Sequence, residues 1–186
     1  MRKDFGAKYF MYPMPVLVIA TYDENGVPDA MTAAWGSIAD YTKVALFLAR
    51  DHKTVSNILA RGAFTVSMAN VANVKEADFV GIVSANDDPD KVAKTGWTMV
   101  KSPLVDAPMI QEMPLTFECK LVKWDDATEQ LTGEILNVSA DESILDEKGQ
   151  IDAAKLQPLV FDAVKAEYRV VGEKVAKAFQ VGLELK

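Results

Sequence analysis

Apolar positions in this chain fall mostly in short runs or in strict alternation. Those are the patterns of β-strands, and helical spacing is rare. Val16-Leu-Val-Ile-Ala-Thr-Tyr22 is a β-rich apolar run that predicts a strand buried on most sides. Asn25-Gly26 is the strongest hairpin dipeptide in the sequence and predicts a return strand from Pro28 to about Trp35. Val44 to Ala49 predicts a third strand, so this part of the chain reads as an antiparallel meander. Phe64 to Ala69 alternates, and so does Pro114 to Trp124. In the latter, Leu115, Phe117, Cys119 and Leu121 point one way, while Thr116, Glu118 and Lys120 point the other. Gln130 to Ala140 is its expected partner, reached across a turn at Asp125-Asp126. Leu159 to Phe161 and Tyr168 to Val171 are shorter strand-like pieces.

Helical signals are few and short. Thr54 to Gly62 predicts a helix that Thr54 caps and Gly62 ends. Asp88 to Gly96 predicts another, with an acidic start and a glycine stop. Asn73 to about Val83 reads as helical or irregular, and Ala153 to Gln157 as one turn stopped by Pro158. The tail from Glu173 to Lys186 reads as a short helix or an irregular end. From Gly96 through Pro114, three prolines and little periodicity predict a loop wrapped around the outside. Prolines 13 and 15 fix an extended entry. The tally is about seven strands and two or three short helices, with no regular βαβ crossover. The fold class is therefore mainly β: a closed antiparallel barrel with short helical excursions, in one domain spanning residues 1–186.

Composition narrows the function by exclusion. The chain is 49% hydrophobic with a net charge of -7, which argues against nucleic-acid binding and against an anionic membrane surface. No apolar run approaches the roughly 20 residues needed to span a bilayer. The N-terminal residues show no apolar signal core, so a cytoplasmic location is expected. Cys119 is the sole cysteine and His52 the sole histidine, which leaves no set of ligands for a zinc or His-rich metal site. Gly-x-Ser-x-Gly, Walker A and Gly-x-Gly-x-x-Gly motifs are missing from the sequence. No side chain stands out as a catalytic acid, base or nucleophile. Cys119, on an apolar strand face, reads as a structural thiol.

Two stretches retain chemical interest. His52, Lys53 and Thr54 precede a helix, where unpaired amides, the positive end of the dipole and a lysine charge suit a phosphate. The competing reading is a plain Thr54 cap with two surface basic residues. Met31-Thr-Ala-Ala-Trp35 offers small residues that let a planar ligand reach the backbone. Its competing reading is a tightly packed strand with a core tryptophan. Lys91, taken alone, reads as an exposed helical lysine.

These residues belong to a longer set of motifs. They are Pro13-x-Pro-Val, Asp-Glu-Asn-Gly-Val-Pro-Asp-Ala-Met-Thr-Ala-Ala-Trp-Gly from Asp23 to Gly36, and His-Lys-Thr at 52–54. Next come Gly62-Ala-Phe-Thr-Val-Ser, Phe79-Val-Gly-Ile-Val-Ser84 and Asp-Lys-Val-Ala-Lys-Thr-Gly at 90–96. The last are Pro114-Leu-Thr-Phe-Glu-Cys-Lys-Leu, Gly133-Glu-Ile, the turn from Asp146 to Gly149 and Tyr168-Arg-Val-Val-Gly. In this order and spacing the chain resembles the flavin reductase-like, FMN-binding split-barrel family, most closely its flavoredoxin members. The resemblance implies a Greek-key-like antiparallel split barrel that forms a homodimer, with FMN near the interface. It implies that Met31, Thr32, Ala33, Ala34 and Trp35 line the ring and ribityl chain, and that His52, Lys53 and Thr54 hold the phosphate. Lys91 would approach the flavin, and Phe161 would pack near the ring. Asp29 is placed in the same site, at a position where these proteins often have Asn. The segment Ala127 to Glu134 lacks the histidine that flavoredoxin-like members often carry there, and Ser84-Ala85 replaces a common Ser-Gly. The implied activity is transfer of electrons from NAD(P)H through FMN to an acceptor, with the flavin supplying the chemistry. The alternative is an FMN-binding electron carrier without its own nicotinamide site.

Overall fold

The computed structural model describes residues 1–185. The first strands are β1 (Met14–Pro15), β2 (Leu17–Tyr22) and β3 (Pro28–Ala33). Between β2 and β3, Asp23 Oδ1 accepts hydrogen bonds from the amides of Asn25 and Val27, both at 2.8 Å, and Gly26 takes a φ of 81° that a side chain would disfavour. Next come β4 (Gly36–Asp40), β5 (Lys43–Phe47), helix α1 (Lys53–Arg61) and β6 (Ala63–Met68). The excursions α2 (Val74–Ile82), α3 (Lys91–Thr95), β7 (Met99–Lys101) and β8 (Pro108–Ile110) follow. The long pair β9 (Leu115–Asp125) and β10 (Gln130–Ala140) leads to α4 (Ala153–Leu156), β11 (Leu159–Asp162) and β12 (Glu167–Val170). Among the described residues, no helix is long and apolar enough to cross a membrane.

The main sheet has seven strands in the order β3-β2-β6-β9-β10-β5-β4, every neighbouring pair antiparallel. Its two edges, β3 and β4, are consecutive in the chain with only Ala34 and Trp35 between them. Three peptide steps reach at most about 11 Å, so the sheet must curl until its edges nearly meet. The result is a split antiparallel barrel, as the pattern predicts. The meander is corrected, however. The single return strand expected from Pro28 to Trp35 breaks at Ala34, and β5 pairs with β4 and β10, not with β3. Alternation marks which residues are strand but leaves their partner open. Gly36 makes the closure possible, because a Cβ there would stand 2.7 Å from a methyl of Leu17 on β2 and of Leu46 on β5.

Two hydrophobic cores explain why β2 is an unbroken apolar run. Leu17 and Ile19 face the barrel interior with Leu46, Phe64, Val66, Cys119 and Leu131. Val18 and Ala20 face outward into a second core with Val80 of α2, Trp97, Ile110 and Leu159. The segment from Gly96 to Pro114 is more ordered than expected. It holds the β7–β8 hairpin, with Met99 opposite Ile110, and it covers the polar face of β9. Thr116 and Glu118 therefore point away from the barrel, as the alternation requires, yet both are buried. Ser102 donates to Glu118 Oε2, Asn137 donates to Glu118 Oε1 at 2.7 Å, and Thr65 donates to the Pro108 carbonyl at 2.6 Å.

The helix after β5 starts one residue earlier than predicted. His52, not Thr54, is its N-cap, and the Thr54 hydroxyl donates to Asp29 instead of capping. Its predicted end holds: Gly62 has φ 67° and donates its amide to the Ile58 carbonyl at 2.8 Å. Among the described residues, the tail carries only a short 3-10 turn, Val181–Leu185, with none of it buried.

Candidate functional site

The start of α1 supplies one end of the site. The amides of Val55 and Ser56 both turn back to the His52 carbonyl, at 3.1 and 3.2 Å. That leaves the amides of Lys53 and Thr54 as the open end of the helix, where unpaired donors and the positive end of the dipole meet. Beside them is a cavity of about 180 Å³, bordered by Met31, His52, Lys53, Thr54, Ser84, Ala85 and Lys91. A second cavity of about 200 Å³ is bordered by Thr32, Ala34, Trp35, Asp78, Phe161 and Tyr168. Gly81 and Ile82 border both, so the two cavities adjoin at the end of α2 and together make a two-part groove. The narrow waist between α2 and β3 depends on a glycine, since a Cβ at Gly81 would stand 3.1 Å from Cβ of Thr32.

The two ends differ chemically. The far end is aromatic. Phe161 and Tyr168 pack with ring centroids 6.2 Å apart, and half-exposed Trp35 has the Tyr9 ring 5.7 Å away. The Tyr168 hydroxyl donates to Asp78 at 2.7 Å; burial first, then this carboxylate, push it up to about 12. The near end is cationic and rich in donors.

The sequence-predicted residues divide by role. Met31, His52, Lys53, Thr54 and Lys91 border the near cavity, and Thr32, Ala34, Trp35 and Phe161 the far one. The side chain of Ala33 turns into the barrel core, so only its backbone is available to a ligand. Asp29 is buried behind the near cavity. Its Oδ2 accepts from the Thr54 hydroxyl, with Asn57 Nδ2 at 3.5 Å, and its Oδ1 lies 3.5 Å from Lys91 Nζ. Lys91 is not an exposed helical lysine, being only 2% exposed. Its ammonium donates to the carbonyls of Val80 at 3.2 Å and Val83 at 2.9 Å. Burial lowers its pKa from the ordinary lysine value, and Asp29 opposes that shift.

Sequence reasoning did not single out Asp78, Gly81, Ile82 or Tyr168 as site residues. Gly81, Ile82 and Tyr168 lie within motifs that carry the resemblance but had no role there, and all four join the groove only because α2 and β12 pack against the barrel wall.

A sequence model of the family described as flavin reductase like domain matches residues 9–167. This chain belongs to that family. Solved structures of flavoredoxins share its fold over nearly their whole length. That of Desulfovibrio vulgaris (Miyazaki F) is 40% identical, with a TM-score of 0.93 over 98% of this chain and 100% of the other. That of Methanosarcina acetivorans is 25% identical, with a TM-score of 0.90 over 100% of both chains. An FMN-binding domain of a flavin reductases-like enzyme from Shewanella baltica OS155 is 22% identical, with a TM-score of 0.78 over 88% of each chain. For a flavin reductase-like domain, a groove aromatic at one end and cationic at the other has the two poles that a flavin nucleotide presents.

Proposed function

We propose that this protein is an FMN-dependent oxidoreductase that takes electrons from NAD(P)H and passes them to an acceptor. The observation that carries this reading is the pair of adjoining cavities, one at the open end of α1 and the other at the Trp35, Phe161 and Tyr168 rings. The amides of Lys53 and Thr54, with the Lys53 charge, would hold the phosphate of FMN. Thr32, Ala34 and Trp35, with Phe161 and Tyr168, would hold the ring, and the backbone at Met31 and Ala33 would follow the ribityl chain. Two buried atoms at the near end have no hydrogen-bond partner among the described residues: His52 Nδ1, a ring nitrogen that as N–H would suit a phosphate, and Asp29 Oδ1, whose charge Lys91 balances at 3.5 Å. When bound, FMN supplies the redox chemistry, accepting hydride from a reduced nicotinamide and releasing electrons onward. The chain's own task is to bind and orient the cofactor, so no acid–base residue is required.

A homodimer with the cofactor near its interface belongs to the same proposal. Ile38, Phe47, Leu136 and Val138 on β4, β5 and β10 are exposed apolar residues that would be available for burial against a second copy. A carrier without a nicotinamide site is the second reading. Tyr9, leaning on Trp35, favours it by narrowing access to the aromatic end.

The absorbance spectrum of the purified protein tests both readings. A flavin spectrum that bleaches on anaerobic addition of NADH or NADPH supports the oxidoreductase. A flavin spectrum that bleaches only with a chemical reductant supports the carrier. Colourless protein that fails to take up added FMN removes both.

A further inference from the structure

Lys91 borders the near cavity, but two of its donors are spent on backbone carbonyls and its charge is paired with Asp29. An ammonium has three donors. Two of them go to the carbonyls of Val80 and Val83, at 3.2 and 2.9 Å, and the charge is paired with Asp29 Oδ1 at 3.5 Å, an oxygen that accepts no hydrogen bond among the described residues. The two carbonyls lie at the end of α2 (Val74–Ile82), where intrahelical donors run out. Asp29 in turn is the partner of the Thr54 hydroxyl, so that hydroxyl does not donate into the cavity. Both charged side chains are almost wholly buried, at 3% and 5% exposure.

We propose that Asp29 and Lys91 form a self-cancelling charge pair behind the phosphate end of the groove. Lys91 is a positioning residue: it neutralises Asp29 and ties down the end of α2 without touching the ligand. Asp29 holds Thr54 so that the helix amides, not its hydroxyl, meet the phosphate. This inference rests on the phosphate being bound at the start of α1. A bare Asp29 carboxylate one hydrogen bond behind Thr54 would repel a phosphate dianion strongly, because both residues are buried and the charge is poorly screened.

Apoprotein titrated with FMN and, separately, with riboflavin tests this, read by flavin fluorescence. Riboflavin lacks the phosphate and serves as an internal control for folding and for the ring end. Lys91→Met exposes the Asp29 charge, and FMN should bind roughly tenfold or more weakly while riboflavin binds as before. Asp29→Asn still accepts from Thr54 but frees the Lys91 charge, so FMN should bind more tightly. The double variant D29N/K91M should return FMN affinity to about threefold of wild type, because the two charges leave together. A double variant as weak as Lys91→Met alone would mean that Lys91 meets the ligand directly and would overturn the pair. If Lys91→Met does not fold, Asp29→Asn decides: unchanged or weaker FMN binding also overturns it. Wild-type protein that holds riboflavin as tightly as FMN would instead remove the phosphate reading itself.

Discussion

The ring edge of Phe64 occupies the space that a side chain at Gly133 would need. A Cβ there would stand 2.4 Å from Cζ of Phe64 and 3.4 Å from the Lys120 carbonyl. Phe64 is fully buried in the barrel core and cannot swing aside. Gly133→Ala should therefore cost about 1–3 kcal/mol through overpacking, seen as a lower Tm in thermal unfolding. An unchanged Tm would mean that the barrel widens there without cost.

Ser102 should matter more than an ordinary loop serine. Its hydroxyl donates to buried Glu118 and accepts from the amides of Leu104 and Val105, both at 3.0 Å. Ser102→Ala takes this partner from two buried groups, Glu118 Oε2 and the Val105 amide, and from the partly buried Leu104 amide, and should cost about 1–3 kcal/mol in denaturant unfolding. The same change should speed hydrogen exchange across Met99–Ile110, because that hairpin is stapled to β9 through this contact.

The N-terminal arm should loosen in acid. Tyr12 donates its hydroxyl to Asp162, and Arg169 Nε lies 3.0 Å from the same carboxylate. The tyrosine bond, then the arginine, hold the Asp162 pKa below the ordinary aspartate value against the effect of burial. A carboxyl whose folded pKa is lowered adds stability above its unfolded pKa, about 3.9, and loses it as pH falls through the folded value. Hydrogen-exchange protection of residues 9–12 should therefore be greatest near neutrality and drop below about pH 4. Asp162→Asn should abolish that dependence.

Cys119 should be inert while the protein is folded. Burial, with Glu118 adding to it, pushes its thiol up to about 12, so the reactive thiolate is scarce at neutral pH. Iodoacetamide should leave the native protein unmodified and label it once denatured. Labelling of native protein would show that the barrel opens between β6 and β9.

Much of the fold was legible because its signals are local. Asn25-Gly26 needs only its own backbone preference to make a turn, and the alternation from Leu115 to Leu121 follows from strand geometry. Gly62 ends α1 for an equally local reason. The errors come where a distant segment decides. Thr54 has the chemistry of a cap, but Asp29 competes for its hydroxyl. Glu118 reads as a solvent-facing strand residue until Ser102 and the hairpin after Gly96 close over it. The site was legible in part: both ends of the groove were marked by residue type, while its waist and its aromatic wall at Tyr168 were not.

By itself the sequence determined where the strands, turns and short helices lie, because backbone propensity and side-chain period act within a few residues. Only the tertiary structure decided which strands pair, since backbone ladders carry little sequence information. It set the edges β3 and β4 two residues apart and left Gly36 between Leu17 and Leu46. It likewise decided that Lys91 is buried, because the energy of that charge depends on Asp29 and on the carbonyls of α2. No local pattern encodes those partners.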